Sequence, residues 1–600
     1  MGRTPLRAVL TGRGAGTLDG TTAGRATGDG ADGEGARGAD GRTDRGGRSG
    51  AAARAAVLLS AGLMLVIGLW GLDRGTVWRD EGATLQVARR SLPEIVHMLG
   101  TVDAVHGLYY VLMHAVVAVH DDEVTLRLPS VVAAAVTAGL VAALGCRLAR
   151  PRVGLWAGLL YAATPFVSHH AQEARSYALV AAGAALATWL LVRAVERGSA
   201  ARWAGYGATV AVTALLHEFA ILLLAAHGLT LLAARVPWRT WRGWAGAALA
   251  ACAALAPLVV LSRGQSEQVS WIRTPGYAEA KGLVLTFAGS GDLVAGVTLT
   301  LAAFALAAPL PRTGPPEVRR LPLNAVALPL ALVPPVLLYA ASQSRPLFLD
   351  RYLLFSLAGV PLLAAAGLER VLRFLPGRRA VAAAGALAVA AGFLWQLPQQ
   401  QRERLPAGRG DEPARVAAAL GRQARPGDAV LFLPLHERRI ALFYPRPFTG
   451  LRDLTLKRSP AASGTLYGVE AGEAELRRRL AGLPDGGRVW VVGDTTVGSR
   501  WLRGQRAEYA KIRVLRELCR EESAVFVRGG AVSRYSCRPP GRAAGGRAAE
   551  RPSAGGPAVV GGTSTAAVPR GKDPRHPSAA SSPLLSVTPS PTSPPPPSRR

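Results

Sequence analysis

The chain has 600 residues, of which 49% are hydrophobic and only 18% are charged. Soluble proteins average about 25% charged residues, so this composition excludes a single soluble domain. The net charge is +30, from 70 basic and 40 acidic residues. We do not interpret this charge as a nucleic-acid surface, because the arginines lie between long apolar runs and do not share segments with polar and aromatic residues.

Both ends of the chain are predicted to be disordered. Residues 1–54 are mostly Gly, Arg, Asp and Thr, a composition that does not bury a core. The first apolar run begins near Ala55, which is too far along the chain for a signal peptide. Residues 541–600 are rich in Gly and Arg and then in Pro and Ser, which predicts a second disordered tail.

Residues 55–397 contain a series of apolar segments, each about long enough to cross a bilayer as a helix. We predict about eleven membrane-spanning helices, and the shorter ones must take in flanking residues to span. The predicted spans are 55–72, 129–146, 153–168, 176–192, 203–216, 219–234, 244–262, 293–310, 321–341, 352–368 and 380–397.

Arginine clusters predict the orientation of these helices. Cytoplasmic loops are enriched in Lys and Arg. Alternate short loops carry such clusters, at 147–152, 193–202, 235–242, 312–320 and 370–379. The N-terminus is therefore predicted to be cytoplasmic, and residues 73–128 form a first external loop. The apolar segment 107–120 is predicted to lie in the membrane interface, because counting it as a span would put every arginine cluster outside.

The pattern changes after residue 397, and residues 398–540 predict a small α/β domain. With eleven spans before it, this domain is external. Helical patterns cover 412–423, 473–483 and 500–517, and buried strands are predicted at 429–433 and 488–492. Residues 398–540 contain neither a GxGxxG motif nor a P-loop, so no nucleotide is predicted for this domain.

Two cysteines near the end of this domain predict a disulfide. Apolar runs at 523–528 and 531–536 flank Gly529-Gly530, a pattern that indicates a β-hairpin. A hairpin would bring Cys519 and Cys537 together, provided that a bend at 520–522 absorbs their unequal distances from the turn. The alternative is two free thiols.

Polar side chains collect at the predicted external ends of the helices, whereas the spans are almost free of ionisable groups apart from His227. An ion-driven transporter needs charged groups deep in the bundle. Carboxylates together with guanidiniums instead indicate a site for a lipid-linked, phosphate-bearing substrate. These polar residues are Asp80, Glu81, Asp103, His106, His169, His170, Glu173, Arg175, His217, Glu218, Asp350 and Arg351.

The sequence Trp78-Arg79-Asp80-Glu81-Gly82, just after the first span, resembles the acidic motif of the GT-C membrane glycosyltransferases. This group includes the dolichyl-phosphate-mannose–protein mannosyltransferases and the bacterial RgtA/B/C/D-like proteins. The resemblance covers about residues 55–400, but His106-Gly107 stands where many members have His-Pro-Pro. Further matching motifs follow in order: Leu108-Tyr109-Tyr110, Leu126-Arg127-Leu128-Pro129-Ser130, Ala163-Thr164-Pro165-Phe166, Gln172-Glu173-Ala174-Arg175-Ser176-Tyr177 and Asp350-Arg351-Tyr352-Leu353-Leu354.

The resemblance implies transfer of a sugar from a polyprenyl-phosphate donor on the external face, with inversion at the anomeric carbon. Asp80 matches the position of the catalytic carboxylate, and Glu81 is either its helper or a favourable charge at a helix N-terminus. Arg175 and Arg351 are candidates for the donor phosphate or are interfacial anchors. Further candidates for substrate binding are Asp103, His106, Glu173, His217 and Glu218.

We predict no cofactor. His169-His170 resembles a pair of metal ligands, but adjacent side chains point apart, so a surface position is favoured and a divalent metal is left open. The cysteines also lack the spacing of a zinc site.

The sequence thus predicts a multi-pass glycosyltransferase of the plasma membrane that transfers a hexose, mannose-like, to an acceptor in the cell envelope. Its partners would be the lipid bilayer, a polyprenyl-phosphate sugar and a glycan, lipid or protein acceptor, with no nucleic acid. One alternative is a lipid or polysaccharide transporter or flippase without covalent chemistry. A third is a scaffold whose external domain binds envelope partners. An enzyme needs Asp80 at the bilayer surface, whereas a transporter needs polar groups at the midplane.

Overall fold

The structure is a computed structural model that describes residues 34–75, 77–307, 321–405, 411–484, 487–494 and 505–537. The chain divides into two units, residues 1–542 and 543–600. The second unit and the whole predicted tail 541–600 lie outside the described residues, as do residues 1–33.

Helices form the first two thirds of the chain. Successive apolar runs separated by Pro, Gly and polar residues produce this pattern. The helices are α1 (Glu34–Leu69), α2 (Arg79–Ala88), α3 (Leu92–Leu99), α4 (Gly107–Val119), α5 (Glu123–Leu148), α6 (Pro151–Ala163), α7 (Pro165–Ala171), α8 (Tyr177–Arg197), α9 (Ala200–Leu216), α10 (Leu223–Ala233), α11 (Trp238–Arg263), α12 (Tyr277–Ala288), α13 (Asp292–Ala307), α14 (Leu323–Ala341), α15 (Gly359–Val371) and α16 (Arg378–Glu403).

Among the described residues, six helices are long and apolar enough to cross a membrane, or eight if each of two bent helix pairs counts as one span. The predicted number of eleven is not confirmed. The predicted span 153–168 is divided at Thr164, because Pro165 favours an extended conformation of the residue before it. The first piece, α6, has 13 residues. At 1.5 Å per residue it is only about 20 Å long, short of a bilayer core of about 30 Å.

The structure also differs from the predicted disorder over residues 34–54, because α1 begins at Glu34. Extending an existing helix adds one hydrogen bond per residue, so the apolar run after Ala51 supports a helix into the Gly-rich sequence before it. The segment 107–120 forms the short apolar helix α4, which is below the length of a span.

Small residues let the central helices pack closely. Gly145 of α5 faces Gly154 of α6, and a Cβ on Gly145 would lie 2.7 Å from the Gly154 Cα. A side chain larger than hydrogen would separate the two helices. Helices in a bilayer associate mainly through such close backbone packing.

The C-terminal region is a small α/β fold, which confirms the predicted sheet-containing domain. The predicted strand 429–433 is buried along its whole length and becomes the second strand of a five-stranded sheet. Its helices are α17 (Pro413–Gly421), α18 (Arg439–Phe443), α19 (Pro460–Ser463), α20 (Glu473–Ala481) and α21 (Arg506–Leu518). Its strands are β1 (Ala429–Leu433), β2 (Arg452–Asp453), β3 (Leu456–Arg458), β4 (Val469–Glu470), β5 (Gly487–Gly493), β6 (Cys519–Val527) and β7 (Gly530–Cys537).

The main sheet has the order β2-β1-β5-β7-β6. Strand β1 is parallel to both β2 and β5, whereas β7 is antiparallel to β5 and β6. β3 and β4 form a separate two-stranded sheet. Helix α17 packs on one face of the main sheet, and α20 and α21 contribute to the core on the other.

The C-terminal region contacts the segment that follows α1. The backbone N–H of Arg79 donates to Asp411 at 3.2 Å, and the hydroxyl of Tyr444 donates to Glu123 at 3.0 Å. The two regions therefore lie on the same side of the membrane. Since α1 crosses once, the number of crossings up to the end of α16 is odd. Six unbroken spans together with one of the two bent pairs would give such an odd number, seven.

The hairpin and disulfide predicted from the sequence are confirmed. Cys519 and Cys537 are opposite residues of β6 and β7 and form a disulfide. The register shifts between Glu521 and Ser523. This irregularity in β6 absorbs the extra residue between Cys519 and the turn.

The disulfide predicts a measurable contribution to stability. Cys519→Ser with Cys537→Ser should lower the free energy of unfolding of the C-terminal region by about 3 kcal/mol, because the bond closes a loop of moderate length. Thermal unfolding of the purified protein, read by protease sensitivity after residue 411, measures the change. Cys252→Ser, which removes a free exposed thiol, is the control. Equal unfolding temperatures for the double variant and the control would contradict the prediction.

Candidate active site

Helix α2 carries the acidic pair and begins one residue before it. Asp80 and Glu81 lie in its first turn, where the helix dipole favours negative charge. The two side chains have different surroundings, because successive residues of a helix point about 100° apart. The Asp80 side chain is 19% exposed and lines a cavity, whereas Glu81 is fully buried.

Glu81 forms a buried ion pair with Arg127 of α5. The guanidinium donates to both carboxylate oxygens of Glu81, at 2.8 and 2.7 Å, and to the carbonyl oxygens of Leu72 and Gly75. Glu81 also accepts a hydrogen bond from the backbone N–H of Ala174 at 3.0 Å. Both carboxylate oxygens of Glu81 are hydrogen-bonded outside the cavity. Glu81 therefore fixes the position of α2.

Asp80 faces a cavity of about 460 Å³. This cavity brings together most of the residues that the sequence indicated, from five separate segments of the chain. Those residues are Asp80, Asp103, His106, Arg175, His217, Glu218 and Arg351. Of the predicted residues, Glu81 and Glu173 do not line this cavity.

Two guanidiniums lie close to Asp80. Nη2 of Arg175 is 3.9 Å from its Oδ2 and Nη2 of Arg351 is 3.8 Å from the same atom. These distances are too long for direct hydrogen bonds. In the described part of the chain, Nε and Nη1 of Arg175 and Nε of Arg351 are buried and have no hydrogen-bond acceptor. Burial alone would lower the pKa of Arg175, but Asp80, Tyr110, Tyr177 and Asp103 together raise it above its usual value.

Asp103 is held in an uncommon conformation at the cavity wall. Its φ angle is 58°, in the left-handed region, which Asp adopts more readily than most residues. Its carboxylate accepts a hydrogen bond from the hydroxyl of Tyr110 at 2.7 Å. Burial raises the pKa of the Asp103 carboxyl, although Arg175 and the Tyr110 hydroxyl oppose the shift.

The two histidines of the cavity are neutral. Burial, together with Arg175 and Arg351, lowers the pKa of His217 to about 3. Burial also lowers the pKa of His106, and its ring lies 6.3 Å from that of His217. Uncharged imidazoles at this position can hydrogen-bond to a neutral hydroxyl group.

A segment that the sequence analysis did not single out completes the cavity. It begins at the last residue of α11 and contributes polar and aromatic side chains. They are Arg263, Gln265, Gln268 and Trp271. Gln265 accepts from the backbone N–H of Ala104 at 3.0 Å, which joins this segment to the first external loop. In the sequence, the Gln and Trp residues that follow the apolar helix α11 could have indicated that this segment belongs to the site.

The C-terminal region packs directly on α2. A Cβ placed on Gly82 would lie 2.1 Å from the ring of Phe443 in α18. Only glycine allows this close approach. Arg439 of α18 forms an ion pair with Asp411 at 3.4 Å, and Asp411 in turn accepts from the backbone of Arg79. The residue before Asp80 is therefore held by the C-terminal region.

Residues 107–261 match the family model described as dolichyl-phosphate-mannose-protein mannosyltransferase. No curated protein matches the chain. Among solved structures, ArnT from Cupriavidus metallidurans in the apo state has a TM-score of 0.51 and 14% identity, covering 80% of this chain and 97% of ArnT. The structure of ArnT bound to undecaprenyl phosphate has a TM-score of 0.50 and 15% identity, with the same coverage.

The alignment extends over nearly all of ArnT and decides the architecture. This chain has the fold of a GT-C membrane glycosyltransferase. The GT-C-like helical fold predicted from the motifs is thereby confirmed, and the C-terminal α/β region is part of the same chain.

The ion pair beneath the GT-C acidic motif gives a testable prediction. Arg127→Met leaves the buried Glu81 carboxylate without its main partner, and such changes cost about 3–5 kcal/mol. We expect a large fall in the thermal unfolding temperature of the purified protein. Arg89→Met, which removes an exposed pair with Asp121, should change it little. Equal unfolding temperatures for the two variants would contradict the structural role of Arg127.

Proposed function

We propose that this protein transfers a sugar from a polyprenyl-phosphate donor to a cell-envelope acceptor at the external surface of the membrane, with inversion at the anomeric carbon. One observation carries the proposal. The carboxylate of Asp80 shares a cavity with Arg175 and Arg351, and some hydrogen-bond donors of these two arginines have no acceptor among the described residues. A base and an anion-binding group side by side are what this reaction needs.

In the proposed step, Asp80 accepts the proton of an acceptor hydroxyl group. The hydroxyl oxygen forms a bond to the anomeric carbon while the bond from that carbon to the phosphate oxygen breaks. The polyprenyl phosphate leaves with the bonding electrons, on the side opposite to the attack, and the configuration inverts. The step therefore balances, because Asp80 takes the proton and the phosphate takes the bonding electrons.

Arg175 and Arg351 are proposed to bind the departing phosphate. Their buried donors, Nε and Nη1 of Arg175 and Nε of Arg351, lack acceptors within the described residues. Leaving such donors unsatisfied costs about 1–3 kcal/mol or more for each charged group. A phosphate would supply several acceptor oxygens at once, and arginine binds it through two parallel hydrogen bonds.

The comparisons support the class of donor. ArnT, which has the same fold, has been solved with undecaprenyl phosphate bound. The family model over residues 107–261 supports a mannose-like sugar. The plasma membrane, the hexose and a glycan, lipid or protein acceptor remain part of the proposal.

The flippase alternative needs polar groups inside the bundle. The described spans contain one such cluster, in which His227 is hydrogen-bonded to Thr188 at 3.0 Å and to Tyr206 at 2.9 Å. Each imidazole nitrogen already has a partner, so this cluster is explained as a link between α8, α9 and α10. The open polar cavity lies instead at the helix ends around Asp80.

Incubating membranes that contain the protein with labelled polyprenyl-phosphate sugars tests the proposal directly. We expect one sugar to be transferred to an endogenous acceptor and the lipid phosphate to be released. Movement of the labelled lipid between leaflets without release of sugar would instead support the flippase.

Asp80→Asn should lower the transfer rate by about a hundredfold or more, because it preserves the shape of the side chain but removes the base. The amount of folded protein should be unchanged, since Asp80 makes no short hydrogen bond to either arginine. Asp121→Asn, in the same external loop, is the control and should keep its activity. Near-normal transfer by Asp80→Asn would exclude Asp80 as the base.

Arg351→Lys keeps the charge but loses the planar group that binds phosphate through two hydrogen bonds. The KM for the donor should rise by about tenfold or more, as expected when a hydrogen bond to a charged group is lost. The KM for the acceptor should change less. Arg273→Lys, an exposed position outside the cavity, is the control. An effect confined to the acceptor would remove Arg351 from the donor site.

The orientation is tested with a reporter that is active only in the cytoplasm. A fusion after Arg379 should be active, because the arginine-rich loops are proposed to be cytoplasmic. A fusion after Gly541 should be silent, because the C-terminal region lies on the same side as the loop after α1. Activity after Gly541 would place the C-terminal region, and with it Asp80, in the cytoplasm.

A further inference from the structure

A separate cavity of about 490 Å³ lies where α1, α5 and α8 meet, and we call it the arginine cavity. Arg54 of α1, Arg147 of α5 and Trp189 of α8 contribute its large polar and aromatic side chains. The other lining residues are Ala53, Val57, Leu58, Ala143 and Cys146. Cavities of this size hold small organic ligands in other proteins. The glycosyl transfer proposed above uses none of these residues.

The arginine cavity lies at the opposite ends of its helices from Asp80. Arg127, which pairs with the neighbour of Asp80, and Arg147 both belong to α5, and positions 127 and 147 are 20 residues apart. At 1.5 Å per residue the separation is about 30 Å, the thickness of a bilayer core. On α8, Tyr177 lines the cavity around Asp80, whereas Trp189 lines the arginine cavity. The two cavities therefore face opposite surfaces of the membrane.

The ring of Trp189 lies beside two guanidiniums. The guanidinium carbons of Arg147 and Arg193 are 5.9 and 5.8 Å from its centre. Arg147 is also paired with Glu196, and its Nε donates to a carboxylate oxygen at 2.8 Å. Nε of Arg193 is buried, and among the described residues it has no acceptor. Because an unsatisfied donor of a charged group costs free energy, the site favours an added anion.

The arginines of the neighbouring loop are paired within the protein. Arg150 and Arg152 both form ion pairs with Glu369, at 3.3 and 3.4 Å. Arg54 and Arg193 form no ion pair in the part of the chain that the structure describes. Basic residues at this end of the helices are expected from the orientation of the protein alone. Orientation does not explain why arginines surround one cavity with a buried donor left unused.

We propose that the arginine cavity binds the headgroup of one anionic phospholipid. Arg54, Arg147 and Arg193 against Glu196 leave the site with an excess of two positive charges. A phosphodiester supplies oxygen acceptors for several guanidinium donors at once. The excess charge favours a headgroup of net negative charge, such as that of phosphatidylglycerol, over a zwitterionic headgroup that carries its own ammonium. Basic cavities between membrane helices are typical sites for anionic lipids.

The apolar part of the wall fits the acyl chains of such a lipid. Val57, Leu58 and Ala143 line the cavity together with the arginines. On α1, Leu58 is 70% exposed and Val66 is 66% exposed, so this helix presents an uncovered apolar surface that continues from the cavity. An acyl chain can lie along this surface while the phosphate contacts the arginines. A free phosphate ion would leave the apolar wall unused, and for that reason we assign a lipid.

The site does not depend on the proposed transfer reaction. Under the orientation proposed above it faces the cytoplasmic leaflet, whose surface is negatively charged because of its anionic lipids. Lipid binding can be measured in detergent, where neither the orientation nor a sugar donor matters.

The test uses the full chain, purified in a neutral detergent and freed of lipid. Short-chain phosphatidylglycerol is titrated, native mass spectrometry counts the bound lipids, and the thermal unfolding temperature is followed in parallel. We expect one phosphatidylglycerol per chain and a higher unfolding temperature. Phosphatidylcholine with the same acyl chains and inorganic phosphate are tested separately, and both should bind more weakly.

Arg54→Gln is the main variant, because Arg54 is exposed and its loss should not disturb the helix packing. It should weaken phosphatidylglycerol binding about fivefold, the usual effect of one basic residue near an anionic lipid surface. Arg54→Gln combined with Arg193→Gln should weaken it about twentyfold. Arg239→Gln is the matched control, since it removes an exposed arginine beside Trp238 that does not line the cavity. Unfolding temperatures without lipid check that each variant is folded.

Four results would overturn the proposal. One is that the unaltered chain retains no phosphatidylglycerol. Another is equal affinity for phosphatidylcholine, which would mean that the charge of the headgroup is not recognised. The third is inorganic phosphate binding as tightly as the lipid, which would make this a site for a free anion. The fourth is an affinity that Arg54→Gln leaves unchanged or that Arg239→Gln lowers equally. If the double variant does not fold, Arg54→Gln alone decides the question.

Discussion

A fully buried guanidinium, that of Arg127, is the constraint on which the geometry of the site depends. Removing a charge from water costs several kcal/mol, and the cost is recovered only if its donors are satisfied with good geometry. Arg127 achieves this with both oxygens of Glu81 and two carbonyl oxygens of the segment after α1. The first span, α2 and α5 therefore meet in one arrangement.

Glu81 extends this arrangement to the segment before α8. One of its oxygens accepts the backbone N–H of Ala174, and Thr84 of α2 donates to the carbonyl oxygen of the same residue at 3.0 Å. Asp80 and Arg175 are the neighbours of these anchored residues in the sequence. Their side chains meet in the cavity because their backbones are held together behind it. The buried Glu81 thereby positions Asp80, which faces the cavity.

Much of this fold can be predicted from local sequence patterns. The strand 429–433 and the hairpin around Gly529 follow from composition and turn residues alone. The apolar segments predict the helices, whereas the number of crossings stays a prediction because it depends on how the chain divides at Pro165 and on the short helices. Asp80 could be found because its motif is local.

The parts that could not be predicted depend on contacts between distant residues. Sequence spacing does not show which of two adjacent carboxylates faces the cavity, and Glu81 was placed with Asp80 for that reason. Arg127 had no assigned role because its partner is 46 residues away. Likewise, Gln265 reaches the cavity only because it hydrogen-bonds to Ala104 and to the carbonyl oxygen of Leu99.

The contact between Gly82 and Phe443 has a consequence for the order of biosynthesis. A ribosome makes α2 early, but the residues that cover it, from Asp411 to Thr465, are made only after every membrane helix. Until they arrive, the face of α2 around Gly82 is open to solvent and the turn at Arg79 lacks its partner. The helix that carries Asp80 therefore reaches its final packing late, when the last third of the chain folds against it.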